Sequence, residues 1–423
     1  MIISNVRLIN PISETVTACD MEIEDGRITS FAPPKTLKDT GDGFYDGRGM
    51  YAAPGFFDIH SHFRDPGFTY KEDILSGAEC AKRGGYTGVV LMANTKPAVD
   101  NPETLAYVQN KGLETGINIY TCGSVTRDLK GETLTDMREL KKHGAVGFTD
   151  DGIPLMDAEL LERAMEICKE LEVPISLHEE DKTLISENGI NAGRASEHFG
   201  LKGAPREAEI SLVKRDIEIA KRTGARLDIQ HVSCKETVEL VRRARKSGYT
   251  NIYAEATPHH IALTEEALFE YGSNAKMNPP VRTEEDRLAI IAGIKDGTIS
   301  FIATDHAPHS AEEKEQALTK APSGIIGLET AFSIGLEYLV ETEAITLEHL
   351  IRLLSVAPRR LYNLSCPATA VKDPADLVVF DITEKWNYDT SVSKSFNTPL
   401  KGREMHGKIK LTVCGGKIVY EDR

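Results

Sequence analysis

Apolar and polar positions along this chain follow two rhythms. Short apolar runs recur at 55–58, 88–92, 117–122, 147–149, 174–177, 226–230, 251–255 and 301–303. Runs this short and this apolar read as strands buried on both faces. Between them, apolar residues return every three or four positions, as at 158–171, 208–223, 237–247 and 284–296. That spacing places them on one face of a helix able to pack against the strands. Eight strands, most followed by a helix, predict an α/β fold built on a closed parallel (β/α)8 barrel. An open doubly wound sheet is the alternative, because periodicity neither counts strands nor closes them.

The two ends are patterned differently. Residues 2–9, 15–23 and 27–32 are β-rich and are broken by Asn10-Pro11, Asp25-Gly26 and Pro33-Pro34. The tail is similar at 377–380 and 408–413, with Gly415-Gly416 as a turn before 418–420. These segments predict a small β-sandwich domain assembled from residues 1–51 and 366–423, beside a catalytic barrel spanning 52–365. A length of 423 residues suits a large barrel plus a smaller unit.

Metal-binding residue types fall where the predicted barrel strands end, the place where barrel enzymes carry their chemistry. The first run leads into Asp58-Ile59-His60-Ser61-His62-Phe63-Arg64. A period of two puts His60 and His62 on one face, and Arg64 continues the alternation as a fixed cation beside them. The fourth run leads into Asp150-Asp151, the fifth into His178, the sixth into His231 and the eighth into Asp305. Imidazoles and carboxylates without sulfur favour zinc, with manganese or cobalt as substitutes. Six ligands exceed the needs of one tetrahedral ion, so two Zn2+ per chain are expected, with a carboxylate able to bridge them. A water shared by two cations acts as hydroxide near neutral pH. Asp305 is the candidate to take its proton and pass it to a leaving nitrogen.

Charge narrows the choice of partner. Lys+Arg 50 against Asp+Glu 65 leaves a net charge of −15, which argues against nucleic acid or an anionic membrane surface. An anionic small substrate fits only if positive charge is gathered locally. No run approaches 18 apolar residues, and the first residues lack the profile of a signal peptide. The seven cysteines include no C-x-x-C pair, so a reducing, cytoplasmic setting is expected.

These strand-end motifs recur with Met92-Ala93-Asn94-Thr95, Pro258-His259-His260, Met277-Asn278-Pro279-Pro280, Ala303-Thr304-Asp305-His306-Ala307-Pro308-His309 and the stretch 324–330. In that order, from residue 52 to about 365, the chain resembles the bacterial type I dihydroorotases of the amidohydrolase superfamily. The resemblance implies a zinc-dependent cyclic amide hydrolase. It would interconvert N-carbamoyl-L-aspartate and L-dihydroorotate in de novo pyrimidine (UMP) synthesis. It also implies one zinc on His60 and His62, a second on His178 and His231, Asp151 bridging them, and Asp305 as both ligand and catalytic acid/base. Arg64, Asn94, Asn278 and His309 would grip the substrate, with backbone groups at Ser323 and Gly324 closing over the ring. A homodimer is common in the family, and some such chains associate with aspartate transcarbamoylase. Ala93, Lys96 and Ser323 depart from the residues usual there, which alters loops rather than ligands.

Two other functions remain open. An allantoinase or a hydantoinase/dihydropyrimidinase-like hydrolase shares the His-x-His strand but typically bridges its metals with a carboxylated lysine, for which Lys96 is the candidate. A substrate without a carboxylate would have no use for Arg64. A non-catalytic barrel scaffold for aspartate transcarbamoylase should have lost ligands, and none of the six is missing. His259 and His260 are expected to anchor a loop, and Asp150 and His306 to be structural. His143, His198, His349 and His406 are expected at the surface. The segment 310–322, with Glu312-Glu313-Lys314-Glu315, reads as a solvated face or a mobile lid.

Overall fold

The computed structural model describes residues 1–39, 41, 43–366 and 370–422. Of the tail segment 366–423, residues 367–369 and 423 therefore lie outside the described residues. The chain opens with β1 (Ile2–Asn10), β2 (Thr15–Glu24), β3 (Arg27–Ala32), β4 (Phe44–Asp46) and β5 (Tyr51–Pro54). Then come β6 (Phe56–Ser61), β7 (Tyr86–Leu91), β8 (Asn118–Thr121), β9 (Pro174–Leu177), β10 (Arg226–Ile229), β11 (Ile252–Ala256) and β12 (Phe301–Ile302). The last three are β13 (Leu377–Asn387), β14 (Glu404–Cys414) and β15 (Lys417–Glu421).

Parallel pairing joins β6–β7–β8 and, separately, β9–β10–β11–β12. Two junctions turn these arcs into a cylinder. On one side Phe148 bridges in parallel to Gly123, just past β8, and to Ile175 in β9. Residues 147–149 thus supply the fourth stave, held by backbone bonds to Gly123, Pro174 and Ser176. On the other side Ser61, at the end of β6, bridges in parallel to His306, beyond β12. The (β/α)8 barrel is closed, and the open-sheet alternative falls away.

Side chains divide by the period of two. Val89 and Leu91 pack with helical residues such as Leu161, Val213, Val238 and Ile290 in the outer core. Val90 and Met92 join Phe57, Ile59, Cys122, Phe301 and Ala303 in a separate inner cluster that includes Leu361 and Tyr362. The predicted helices are Ala158–Glu170, Glu207–Thr223, Lys235–Lys246 and Glu284–Lys295. Asp157 and Thr283 cap the first and last by accepting from backbone N–H groups, and Gly224 ends the second in the left-handed region. Among the described residues, no helix is long and apolar enough to cross a membrane.

The chain ends form one hydrogen-bonded sheet, in the order β15-β14-β13-β5-β1-β2-β3 with β4 beside β1. Ile3, Met21 and Ile28 share a core with Leu377, Val379 and Leu411, which lie well apart in that order. The sheet therefore curls over its own interior, and β5 ties it to the start of the barrel.

Phe148 is fully buried in a stave held by isolated bridges. Phe148→Ala should lower the unfolding free energy by about 3–5 kcal/mol, read as a lower urea midpoint. A loss below ~1 kcal/mol would mean that this stave does not hold the barrel shut.

Candidate metal centre

Six side chains from five staves meet at the C-terminal mouth. His60 lies in β6 with His62 just past it, Asp151 follows residues 147–149, His178 follows β9, His231 follows β10 and Asp305 follows β12. All six are buried. Asp151 sits among four rings: its Oδ1 is 3.4 Å from His60 Nε2, 3.7 Å from His178 Nδ1 and 3.6 Å from His231 Nε2, and its Oδ2 is 3.3 Å from His62 Nε2. Asp305 Oδ1 stands 3.1 Å from His62 Nε2 and 3.5 Å from His60 Nε2. The donor atoms form overlapping triplets, His60–His62–Asp151, Asp151–His178–His231 and His60–His231–Asp305.

This donor set fits a cation. His60 Nε2 and Asp151 Oδ1 are buried without a hydrogen-bond partner. An unpaired buried polar atom costs about 1–3 kcal/mol, and ligation removes that cost. The outer ring nitrogens are engaged: His60 Nδ1 lies 2.9 Å from Glu255 Oε2, His62 Nδ1 2.9 Å from Asn94 Oδ1, and His178 Nε2 3.0 Å from Glu180 Oε2. With a cation in the cage, a proton on each outer nitrogen would leave the inner lone pair free to ligate it. Glu255 and Glu180 were not anticipated. Both were within reach of the sequence, since Glu255 ends the run at 251–255 and Glu180 lies two residues beyond His178.

Electrostatics bind the cage together. Burial opposes a charge on His60, but Glu255, Asp305 and Asp151 outweigh it and raise this ring well above the usual imidazole range. Burial also opposes the charged forms of Asp151 and Asp305. His60 and the neighbouring imidazoles nevertheless hold both below the carboxylate range. Arg64, His231 and Asp305 have φ of 58°, 35° and 45°, left-handed conformations that non-glycine residues adopt at a cost.

The cage opens into a cavity of about 330 Å3 whose wall includes Arg64, Asn94, Asn278, His309 and Ser323. Asn188 also lines it, and no sequence pattern marked that residue. Arg64 Nε donates to Pro308 O at 3.3 Å. The Asn94 amide is committed to the cage, accepting from His62 and donating to Asp151 Oδ2 at 3.2 Å. Asn278 Nδ2 lies 3.2 Å from His178 Nε2. His309 Nε2 is 2.9 Å from Ser323 O and its Nδ1 is 3.3 Å from Lys71 Nζ, the two shortest contacts of the ring, and from them we assign the ring proton to Nε2. Gly324 has φ 153°, and a Cβ there would come within 2.6 Å of Ala307 O.

The remaining candidates lie elsewhere. Asp150 accepts from the backbone N–H groups of Val125 and Thr126. His260 bonds to Thr257 and Pro279, while His259 Nε2 has no partner. His306 Nδ1 accepts from Gly327 N. Lys96 is exposed and does not line the cavity. His143 and His198 are exposed, but His349 and His406 are only half-exposed, and His406 pairs with Glu341. The run 312–315 is not simply a solvated face. Lys314 is buried and donates to Pro322 O and Gly324 O at 3.0 and 3.1 Å, so its ammonium group helps to satisfy the carbonyls of that turn.

A family model described as Dihydro-orotase-like matches residues 49–237. The chain is 47% identical over 420 residues to the dihydroorotase of Clostridioides difficile, covering 99% of both chains. It is 46% identical over 422 residues to that of Lactococcus lactis, covering 100% of this chain and 99% of the relative. Among solved structures, an L-hydantoinase (dihydropyrimidinase) from Arthrobacter aurescens is similar with a TM-score of 0.87 at 22% identity, over 99% of this chain and 96% of that one. A D-hydantoinase (dihydropyrimidinase) from a Thermus species is similar with a TM-score of 0.85 at 22% identity, over 100% and 95%. At that identity the structural likeness speaks for the fold alone.

Burial, then Arg64, Lys71 and Lys314, push His309 far below the usual imidazole range. Its ring should therefore stay neutral, with the proton on Nε2, from pH 5 to 8 when followed by nitrogen-15 NMR. A titration midpoint near 6.5 would contradict this placement.

Proposed function

The chain belongs to the dihydroorotase family of cyclic amide hydrolases, and we propose how its own residues perform that family's reaction. The activity is the reversible conversion of N-carbamoyl-L-aspartate to L-dihydroorotate in pyrimidine synthesis. One observation carries the mechanistic reading: Asp151 is shared between two pairs of imidazoles facing a cavity whose wall holds Arg64.

In this reading His60 and His62 would hold one zinc ion and His178 and His231 a second, with Asp151 and Asp305 as carboxylate ligands. Two ions bound there would supply Lewis acidity for water activation and for the ring carbonyl. Arg64 offers a planar fork to the substrate carboxylate, fixing which end of the ring faces the cage. Asn94 holds His62 and Asp151 in place from the cavity wall. Asn278 faces the bound ring beside His178, and His309 ties Ser323 and Gly324 over it. In hydrolysis, Asp305 accepts the proton of the attacking water and delivers it to the amide nitrogen as its bond to the ring carbonyl carbon breaks. Ring closure runs the same transfers backwards.

The exposed position of Lys96 speaks against a carboxylated-lysine bridge. The intact cage speaks against a pure scaffold. Free cysteines throughout the described residues suit a reducing cytoplasm. The family resemblance alone supports a homodimer and association with aspartate transcarbamoylase, which light scattering with and without that partner would decide.

Zinc-loaded protein offered dihydroorotate, dihydrouracil and allantoin in parallel should turn over dihydroorotate. Turnover of the other two alone would overturn the substrate assignment. Asp305→Ala should lower kcat about 100- to 10,000-fold with the fold intact, and normal turnover would refute its acid/base role. Arg64→Lys should raise KM by roughly tenfold or more, since a point charge replaces a bidentate fork; an unchanged KM would remove Arg64 as the carboxylate clamp.

A further inference from the structure

Glu255 is fully buried at the C-terminal end of β11, and one of its oxygens serves two ligands. Oε2 lies 2.9 Å from His60 Nδ1 and accepts from the backbone N–H of His231 at 3.3 Å. The Glu255 carbonyl also accepts from Val232 N at 3.1 Å, so both ends of this residue grip the chain at His231. That grip falls where His231 has φ 35°, a conformation that must be held by its surroundings. The other outer contacts differ. Glu180 bonds one ring, His178, and the Asn94 oxygen bonds one ring, His62.

We propose that Glu255 is a positioning residue that couples the two cation positions, because one carboxylate oxygen orients a ligand of each. The inference rests on the two-ion reading above. Ligation of His60 fixes its ring and with it the Glu255 carboxylate. The same carboxylate then presents the His231 backbone, and hence its imidazole, to the second position. The sites should therefore lose affinity together when this oxygen is disturbed, whereas disturbing Glu180 should reach one site.

The test is zinc titration of the metal-stripped full-length protein by competition calorimetry, comparing wild type with Glu255→Gln and Glu180→Gln. Wild type should take up two equivalents. Glu180→Gln should weaken one binding step about 10- to 100-fold and spare the other, while Glu255→Gln should weaken both steps by that order. The far-UV circular dichroism of the metal-free form should not change, which separates positioning of ligands from general loss of structure. Weakening of one step alone in Glu255→Gln, or of neither, overturns the coupling. Should that variant not fold, Glu255→Asp keeps the charge with a shorter reach and must show the same joint weakening; loss at one step there overturns the proposal equally. A wild-type protein that takes up one equivalent refutes the two-ion reading itself, and the coupling with it.

Discussion

One carboxylate set among four imidazoles governs the mouth of this barrel. Asp151 can stand between His60, His62, His178 and His231 only if staves far apart in the chain are brought together and held there. That requirement explains why the cylinder must close at its two weakest seams. The Phe148 bridges fix where Asp151 begins its turn, and the Ser61–His306 bridge fixes His62 relative to Asp305. Three of the residues that shape the mouth, Arg64, His231 and Asp305, hold left-handed backbone conformations just past the ends of their staves. The outer carboxylates and the Asn94 amide then leave the rings few rotations to choose from.

A second constraint is charge. A chain with a net charge of −15 must attract an anionic substrate against its own field. It gathers cations beside the cage: Arg64 in the cavity wall, Lys71 against His309 and Glu313, and Lys314 and Lys276 under residues 318–324. Lys314 is pushed down to about 7 by burial and by Lys276, a measure of how unfavourable such crowding is. Carbonyl oxygens of Leu318, Ala321, Pro322 and Gly324 accept hydrogen bonds from the two lysine side chains, which brace the turn.

Much of this could be read before any fold was known, for physical reasons. Runs buried on both faces are continuous and apolar, so the eight staves stood out, even 147–149, which pairs through a single residue. Ligands at strand ends follow from barrel geometry, and the motif order pointed to the family. The outer contacts were harder to see. Glu255 and Glu180 look like ordinary acidic residues, and only the approach of Glu255 across the barrel to His60, and the contact of Glu180 with the ring of His178 two residues before it, give them a role. Lys314 hid inside a charge run, because sequence does not show which side of a one-turn helix is covered. Asn188 reaches the cavity from an irregular loop, where no periodicity exists to announce it.

The most direct measurement is diffraction from zinc-loaded crystals with data collected on both sides of the zinc absorption edge. Two anomalous peaks about 3.5–4 Å apart are predicted. One should lie against His60 and His62 and the other against His178 and His231, with Asp151 in contact with both. A single peak, or peaks away from these residues, would contradict the account.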